Sequence, residues 1–339
     1  MMYSLDEVGL IPARISDINS RKDVNPFRDG YLPIFVAPMT CLIKDVGGLE
    51  KFTANKFIPI LPVWHDNAAQ RAINKLVSWT AVTLQEFTEF YTDSDIAREQ
   101  PFGAIHHVLI DTASGNMSQT LKAVKKAKFL YGKSLKVMIG NIAEPETYCD
   151  CTNAGVDYVR IGIGGGNGCT TSVQTGIHTS IPYILEGIKT LKGIHSIKYP
   201  NTKYPKIIAD GGIDSIGKAI KALALGADYV MMGYMFAQCE DIKVNYECYP
   251  RGDNTYQQNF YYGQSSKEGQ KDRFGTVKAH PEGTGFWVMA NTTLQDFSYD
   301  FESALRSAMS QTNAKTLDDF IGKVKYEYMT PKEFNSFNK

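Results

Sequence analysis

The stretch Lys206-Ile-Ile-Ala-Asp-Gly-Gly-Ile-Asp-Ser-Ile-Gly-Lys-Ala-Ile-Lys-Ala-Leu-Ala-Leu-Gly-Ala-Asp-Tyr-Val-Met-Met-Gly233 decides the fold. Lys206–Ala209 is a short apolar run closed by Asp210, Gly211 and Gly212. Ser215–Leu225 then sets Ile216, Ala219, Ile220, Leu223 and Ala224 along one side of a helix. Tyr229–Met232 is a second apolar run, and Gly233 follows it. A strand that is apolar throughout is covered on both faces, as in a parallel sheet. Strand, helix and strand in this order form the crossover unit of such a sheet. The same rhythm extends upstream through Leu32–Met39, Phe57–Val63, Thr80–Leu84, His107–Asp111, Leu135–Ile139 and Tyr158–Ile163. Between these runs, Gln119–Leu130 places Leu121, Val124, Ala127 and Leu130 on one helical side. Eight strand-then-helix units predict an α/β fold, a closed (β/α)8 TIM barrel, as a single domain over residues 1–339.

One stretch breaks the rhythm. Residues 239–298 are polar and rich in Tyr, Gly, Asn and Gln. That is too long for an ordinary connection and predicts an active-site flap or insertion after strand 8. Helical patterning resumes over Phe301–Met309 and near Leu317–Val324.

Composition narrows the function. Lys+Arg and Asp+Glu are 36 each, so the formal net charge is zero. A general nucleic-acid binder needs a basic surplus to displace counterions, so no nucleic-acid partner is expected. No apolar run reaches the ~18 residues of a membrane span, and no membrane partner is expected. The opening residues lack the pattern of a signal peptide, which points to a cytoplasmic protein. Six scattered cysteines do not form a disulfide framework and read as free thiols. Cys149 and Cys151 have no second Cys/His pair at finger spacing. Asn116-Met-Ser118 and Asn291-Thr-Thr293 read as chance sequons.

In a barrel, chemistry sits where the strands end. Those ends carry Ala37-Pro38-Met39, Asp111-Thr112-Ala113, Gly140-Asn141, Gly162 through Thr171, Asp210-Gly211-Gly212 and Gly233-Tyr234. Glycine lets backbone N–H groups approach an anion, and the ends of strands 7 and 8 are a common phosphate site. Gly212 through Ala219 nearly spells a nucleotide-binding P-loop, but Ala219 replaces the hydroxyl that would hold Mg²⁺. Gly162–Gly168 does not have dinucleotide-fingerprint spacing. Cys169 stands apart from the other thiols. It sits in a glycine-rich loop whose N–H dipoles favour a thiolate, with Thr170 and Thr171 beside it as proton donors. It reads as a nucleophile; the plain alternative is a small residue in a packed turn.

Taken together, these residues resemble the family of IMP dehydrogenases and GMP reductases. The resemblance runs from Leu5-Asp6-Glu7-Val8-Gly9-Leu10-Ile11-Pro12 to Pro281-Glu282-Gly283, through Val159–Thr171, Ile208–Ile213, Ala222–Gly233 and Tyr262-Gly263-Gln264-Ser265-Ser266. It implies that Cys169 attacks C2 of a purine nucleoside monophosphate and that Thr171 assists proton transfer. It implies that Asp210 holds the ribose hydroxyls, and that Gly212, Gly233 and Tyr262 cradle the 5′-phosphate. Gly211, Gly166, Asn167, Met39, Tyr234, Gly263 and Ser265 complete the implied substrate site. Gln264, through its backbone, and Glu282 read the purine edge. Asp111, Thr112, Ala113, Asn141, Gly162 and Gly164 are implied for the nicotinamide cofactor, NADPH or NAD. Carbonyls of Gly164, Gly166 and Cys169 are implied for a monovalent cation such as K⁺. A homotetramer is implied as well.

Direction is read from finer features. Dehydrogenases of this family usually carry a regulatory CBS pair between strands 2 and 3; here that connection, His65–Trp79, is about one helix long. This and the Tyr262–Ser266 motif lead to the expectation of a GMP-reductase-like enzyme, with NADPH-dependent deamination of GMP to IMP. The alternatives are an IMP dehydrogenase without the CBS pair and a catalytically silent nucleotide-binding barrel. The reductase's catalytic Glu after the two serines is Lys267 here, with Glu268 one step on, and both are candidate catalytic groups. Arg273, in Asp272-Arg273-Phe274, resembles the flap arginine that activates water in the dehydrogenases. The chain departs from the family pattern at Gly165-Gly166-Asn167-Gly168, at Ser172 and at Thr40, which leaves a deoxy or modified purine open.

Overall fold

A computed structural model describes residues 4–64, 79–93, 106–112, 114–251 and 254–330. Its centre is an eight-stranded parallel sheet, β1 (Ile34–Val36), β2 (Ile60–Leu61), β3 (Trp79–Val82), β4 (His106–Ile110), β5 (Leu135–Ile142), β6 (Tyr158–Ile161), β7 (Lys206–Asp210) and β8 (Tyr229–Met232). Each strand pairs with its sequence neighbour from β2 to β8, and β1 pairs with β8 with Ile34 opposite Val230. The ring closes through Phe35 and Ile58, where Ile58 N–H donates to Ile34 at 3.0 Å. All eight apolar runs are therefore barrel strands, and the chain is an α/β TIM barrel.

Helices α1 (Val46–Ala54), α2 (Leu84–Tyr91), α3 (Ser118–Tyr131), α4 (Pro145–Ala154), α5 (Ile181–Lys198) and α6 (Ile216–Leu225) alternate with the strands. In α6 the Ser215 side chain caps the helix by accepting from Lys218 N–H, and Ala219, Ile220, Leu223 and Ala224 of the predicted stripe are buried. Alternation along each strand points every second side chain into the barrel. Trp79, Tyr158 and Tyr229, the first residues of their strands, meet Phe35 there, with ring centroids 5.7, 6.1 and 5.1 Å from it. These rings fill the N-terminal end of the barrel and leave the C-terminal end for chemistry.

The polar stretch is more regular than its composition suggests. It contains β9 (Tyr246–Arg251), β10 (Asn254–Tyr262) and β11 (Gly285–Ala290), an antiparallel sheet in that order, with helix α7 (Lys267–Phe274) between β10 and β11. Its amides are structural. Asn259, buried in β10, donates to the carbonyls of Ala237 and Cys239, and Gln257 donates to those of Glu240 and Ile242. They satisfy the backbone where the chain leaves β8, a role invisible in the composition. Helix α8 (Leu294–Gln311) starts earlier than the predicted Phe301 and packs on the barrel through Phe297, Phe301 and Leu305.

Phe236 links these parts. It is fully buried, with ring centroids 5.1, 4.9 and 5.4 Å from Phe52, Phe57 and Phe297. Phe236→Ala is expected to lower unfolding free energy by about 3–5 kcal/mol in urea titrations; a loss under about 1 kcal/mol would show that the cluster does not hold α8 to the barrel.

Candidate active site

The loop after β6 carries Cys169 to the C-terminal mouth, and the segment before β11 pairs with it. Thr170 N–H donates to the Glu282 carbonyl at 3.0 Å, Thr284 N–H to that of Gly168 at 3.0 Å, and Cys169 bridges Gly283. Three glycines make this approach possible. A Cβ on Gly168 would stand 2.9 Å from Gly263 N, one on Gly263 2.7 Å from Gly168 O, and one on Gly283 2.9 Å from Gly168 O. No larger residue fits such backbone-on-backbone contact.

This docking assembles a hydrogen-bonded chain. The Cys169 thiol donates to Thr171 Oγ1 at 3.3 Å, and the Thr171 hydroxyl donates to Glu282 Oε2 at 2.9 Å. A thiol proton thus has a path to a carboxylate. Cys169 is half-buried, whereas burial pushes the thiols of Cys41, Cys151 and Cys239 up to about 12. Those three stay protonated and unreactive near neutral pH.

A second set lies across the mouth. Arg160 follows Tyr158 by two residues in β6 and so also points into the barrel. Its guanidinium reaches Asp111 Oδ1 at 3.2 Å, Asp210 Oδ2 at 3.7 Å and the Gly140 carbonyl at 3.4 Å. Asn141 Nδ2 donates to Asp210 Oδ2 at 3.0 Å and to the Gly162 carbonyl at 2.8 Å. Arg273, from α7, sits on the other oxygen of Asp111 at 2.9 Å and also donates to the Asp111 carbonyl. Burial raises the Asp210 carboxyl above the ordinary value, and Arg160 and Asn141 oppose that rise.

The other expected residues divide. Gly211 and Gly212 take positive φ and pack beside Gly165, which forms a small-residue cradle at the end of β7. Met39 Sδ lies 2.8 Å from where a Cβ on Gly233 would stand. Asn167 and Ser265 are exposed, and Thr112 donates to the Ser114 carbonyl at 3.0 Å. Ala113 lies outside the described residues, as does most of the β2–β3 connection. The Gly164 carbonyl accepts from Ser172 Oγ and that of Gly166 from Cys169 N–H, each keeping a second lone pair. Lys267 and Glu268 are exposed at the start of α7, and among the described residues neither side chain makes a hydrogen bond or ion pair. Lys218 of the P-loop lookalike is taken by Asp6 and Asp214 at 3.2 and 2.9 Å. Among the described residues no His/Cys/Asp/Glu group could hold a metal, and no helix is long and apolar enough to cross a membrane.

The Tyr262 ring is buried; its hydroxyl donates to Asp272 and accepts from Asn245 at 3.0 Å. The neighbouring Tyr261 turns the other way. Its hydroxyl is 3.0 Å from where a Cβ on Gly233 would stand, and its ring packs edge-on to Tyr234 at 5.8 Å. Burial holds the Tyr261 phenol well above its usual value, so it is a neutral donor. Sequence reading missed Tyr261 and Arg160. Only the second left a signal, a lone charge inside an apolar run.

Several buried polar atoms at this mouth have no partner among the described residues: Arg160 Nε, Arg273 Nε, Thr170 Oγ1 and Gln264 Oε1. They leave hydrogen-bonding capacity unused at the mouth.

The comparisons agree with the geometry. A family model described as the IMP dehydrogenase / GMP reductase domain matches residues 67–336. Inosine-5′-monophosphate dehydrogenase of Chlorobaculum tepidum is 30% identical over 272 residues, covering 78% of this chain and 52% of that protein. The enzyme of that name from Staphylococcus aureus strain Mu50 is 30% identical over 301 residues, 86% of this chain and 57% of that protein. Its counterpart in Chlorobaculum parvum is 33% identical over 231 residues, 66% and 45% respectively. The chain spans about half the length of the curated relatives it matches.

Two outcomes follow from the electrostatics. In the native protein, brief alkylation read by peptide mass spectrometry is expected to label Cys169 and spare Cys41, Cys151 and Cys239; labelling in the reverse order would remove the basis for a reactive Cys169. A raised Asp210 also means that the native state holds more protons than the unfolded chain between the ordinary and raised values. Stability therefore falls as pH rises through that window. Asp210→Asn is expected to flatten this fall in denaturant midpoints taken upward from about pH 4; an unchanged slope would contradict the assignment.

Proposed function

This chain belongs to the family of IMP dehydrogenases and GMP reductases, and on that premise we propose that it oxidises IMP at C2 with NAD through a covalent adduct on Cys169. The observation that carries the reading is the Cys169–Thr171–Glu282 hydrogen-bonded chain. The names of its relatives favour this direction over GMP reduction with NADPH. The exposed position of Lys267 and Glu268 favours it too, since neither joins the thiol's hydrogen-bonded chain.

In this reading the phosphate rests on Gly211, Gly212 and Gly233, with Tyr261 as donor and Asn167 and Tyr234 at the edge. Asp210 accepts from the ribose hydroxyls. Met39, Gly263 and Ser265 border the base. Cys169 passes its proton through Thr171 toward Glu282 and forms the bond to C2. When bound, NAD supplies the hydride acceptor, with Asp111 and Asn141 to hold it and Thr112, Ala113, Gly162 and Gly164 nearby. The orphaned Arg160 Nε fits such a polar group, although both Asp111 oxygens are held by arginines and Arg273 must give up its place. Water then cleaves the carbon–sulfur bond, and Arg273 and Thr171 are the groups placed to draw off its proton. Carbonyls of Gly164, Gly166 and Cys169 suit K⁺, and a homotetramer accompanies the family reading.

The test is absorbance at the nicotinamide band. A gain with IMP and NAD is expected, abolished in Cys169→Ser while nucleotide binding persists. Loss of NADPH absorbance with GMP would instead establish the reductase direction. Nucleotide binding without turnover in either mixture would leave a silent binding barrel.

A further inference from the structure

We propose that the Gln264 side chain reads the bound base: its amide oxygen accepts a hydrogen bond from an N–H on the six-membered-ring edge of the purine. The proposal rests on the nucleotide reading above and goes beyond the resemblance, which uses only this residue's backbone.

Three observations converge. Gln264 Nε2 donates to the Pro38 carbonyl at 2.6 Å. A carbonyl only accepts, so this contact fixes which end of the amide is nitrogen and which is oxygen. The oxygen, Oε1, is buried and has no partner among the described residues. A buried acceptor is costly to leave without a donor, so a donor supplied by a ligand gains a hydrogen bond there. The third observation is placement. Gln264 follows Gly263, whose backbone lies on Gly168, and Gly168 precedes Cys169. Pro38 precedes Met39 in the loop after β1. The side chain therefore spans from the thiol loop to the β1 loop, where a base joined at C2 to Cys169 would lie.

The anchor gives the contact its sign. Turning the amide to offer N–H would set Oε1 against the Pro38 carbonyl, so the site selects a donor. Hypoxanthine and guanine carry N1–H on that edge, and unsubstituted purine carries no N–H there. Gln264 thus acts as a specificity-determining residue that favours a purine with an N–H donor on that edge over one without.

The experiment compares the full chain and Gln264→Met for binding of IMP and of purine riboside 5′-monophosphate by calorimetry, without NAD. The parent protein is expected to bind IMP about tenfold more tightly than purine riboside 5′-monophosphate. Gln264→Met is expected to lose that margin by weakening IMP alone; its unchanged binding of purine riboside 5′-monophosphate shows an intact site. Equal weakening of both ligands, or a margin that survives the substitution, overturns the role of Gln264 and leaves the nucleotide reading standing. A parent protein that binds neither ligand overturns the nucleotide reading, and this proposal with it.

Discussion

A guanidinium inside an apolar barrel must be neutralised where it stands, and Arg160 imposes that constraint on the whole C-terminal mouth. Its side chain is 6% exposed and lies between Asp111 and Asp210. The ends of β4 and β7 must therefore bring their carboxylates inward, toward β6. Asn141, from β5, supports Asp210 from the other side. Four neighbouring strands thus converge on one buried charge, and the carboxylates assigned to ribose and to cofactor share one counterion. Replacing either carboxylate would leave its neighbour's arginine under-compensated, so the two sites are not independent.

The second constraint is steric. Chain leaving β10 and chain entering β11 lie directly on the loop that carries Cys169, and glycine at 168, 263 and 283 permits this. The contact brings a carboxylate from the inserted segment to a threonine two residues past the thiol. It also orients α7, so that Arg273 reaches Asp111 at the end of β4. The inserted segment thereby contributes Glu282 and Arg273 to the contacts of the mouth. Asn259 and Gln257 root it at the far side, where their amides take up carbonyls left as the chain turns out of β8.

These contacts divide the cysteines by environment. Those packed within the barrel or its helices are held protonated by desolvation, and the one in the glycine loop meets a hydroxyl and, through it, a carboxylate. The same environment separates two adjacent tyrosines. Tyr262 is committed to Asp272 and Asn245, and Tyr261 faces the cradle at Gly233.

By itself the sequence determined the barrel, because apolar runs and helical stripes are local patterns that report burial on both faces of each strand. It also determined the thiol loop, whose glycines and hydroxyls stand next to Cys169 in the chain. Tertiary structure alone decided which distant groups meet them. Glu282 is 111 residues from Thr171, and Arg273 is 162 from Asp111. No local spacing encodes such pairs. It decided between Tyr261 and Tyr262 as well, since a one-residue change of strand parity sends a side chain to the opposite face. The inward turn of Arg160 has the same origin, for parity along β6 is set by the closed ring of strands and not by the residues on either side of it.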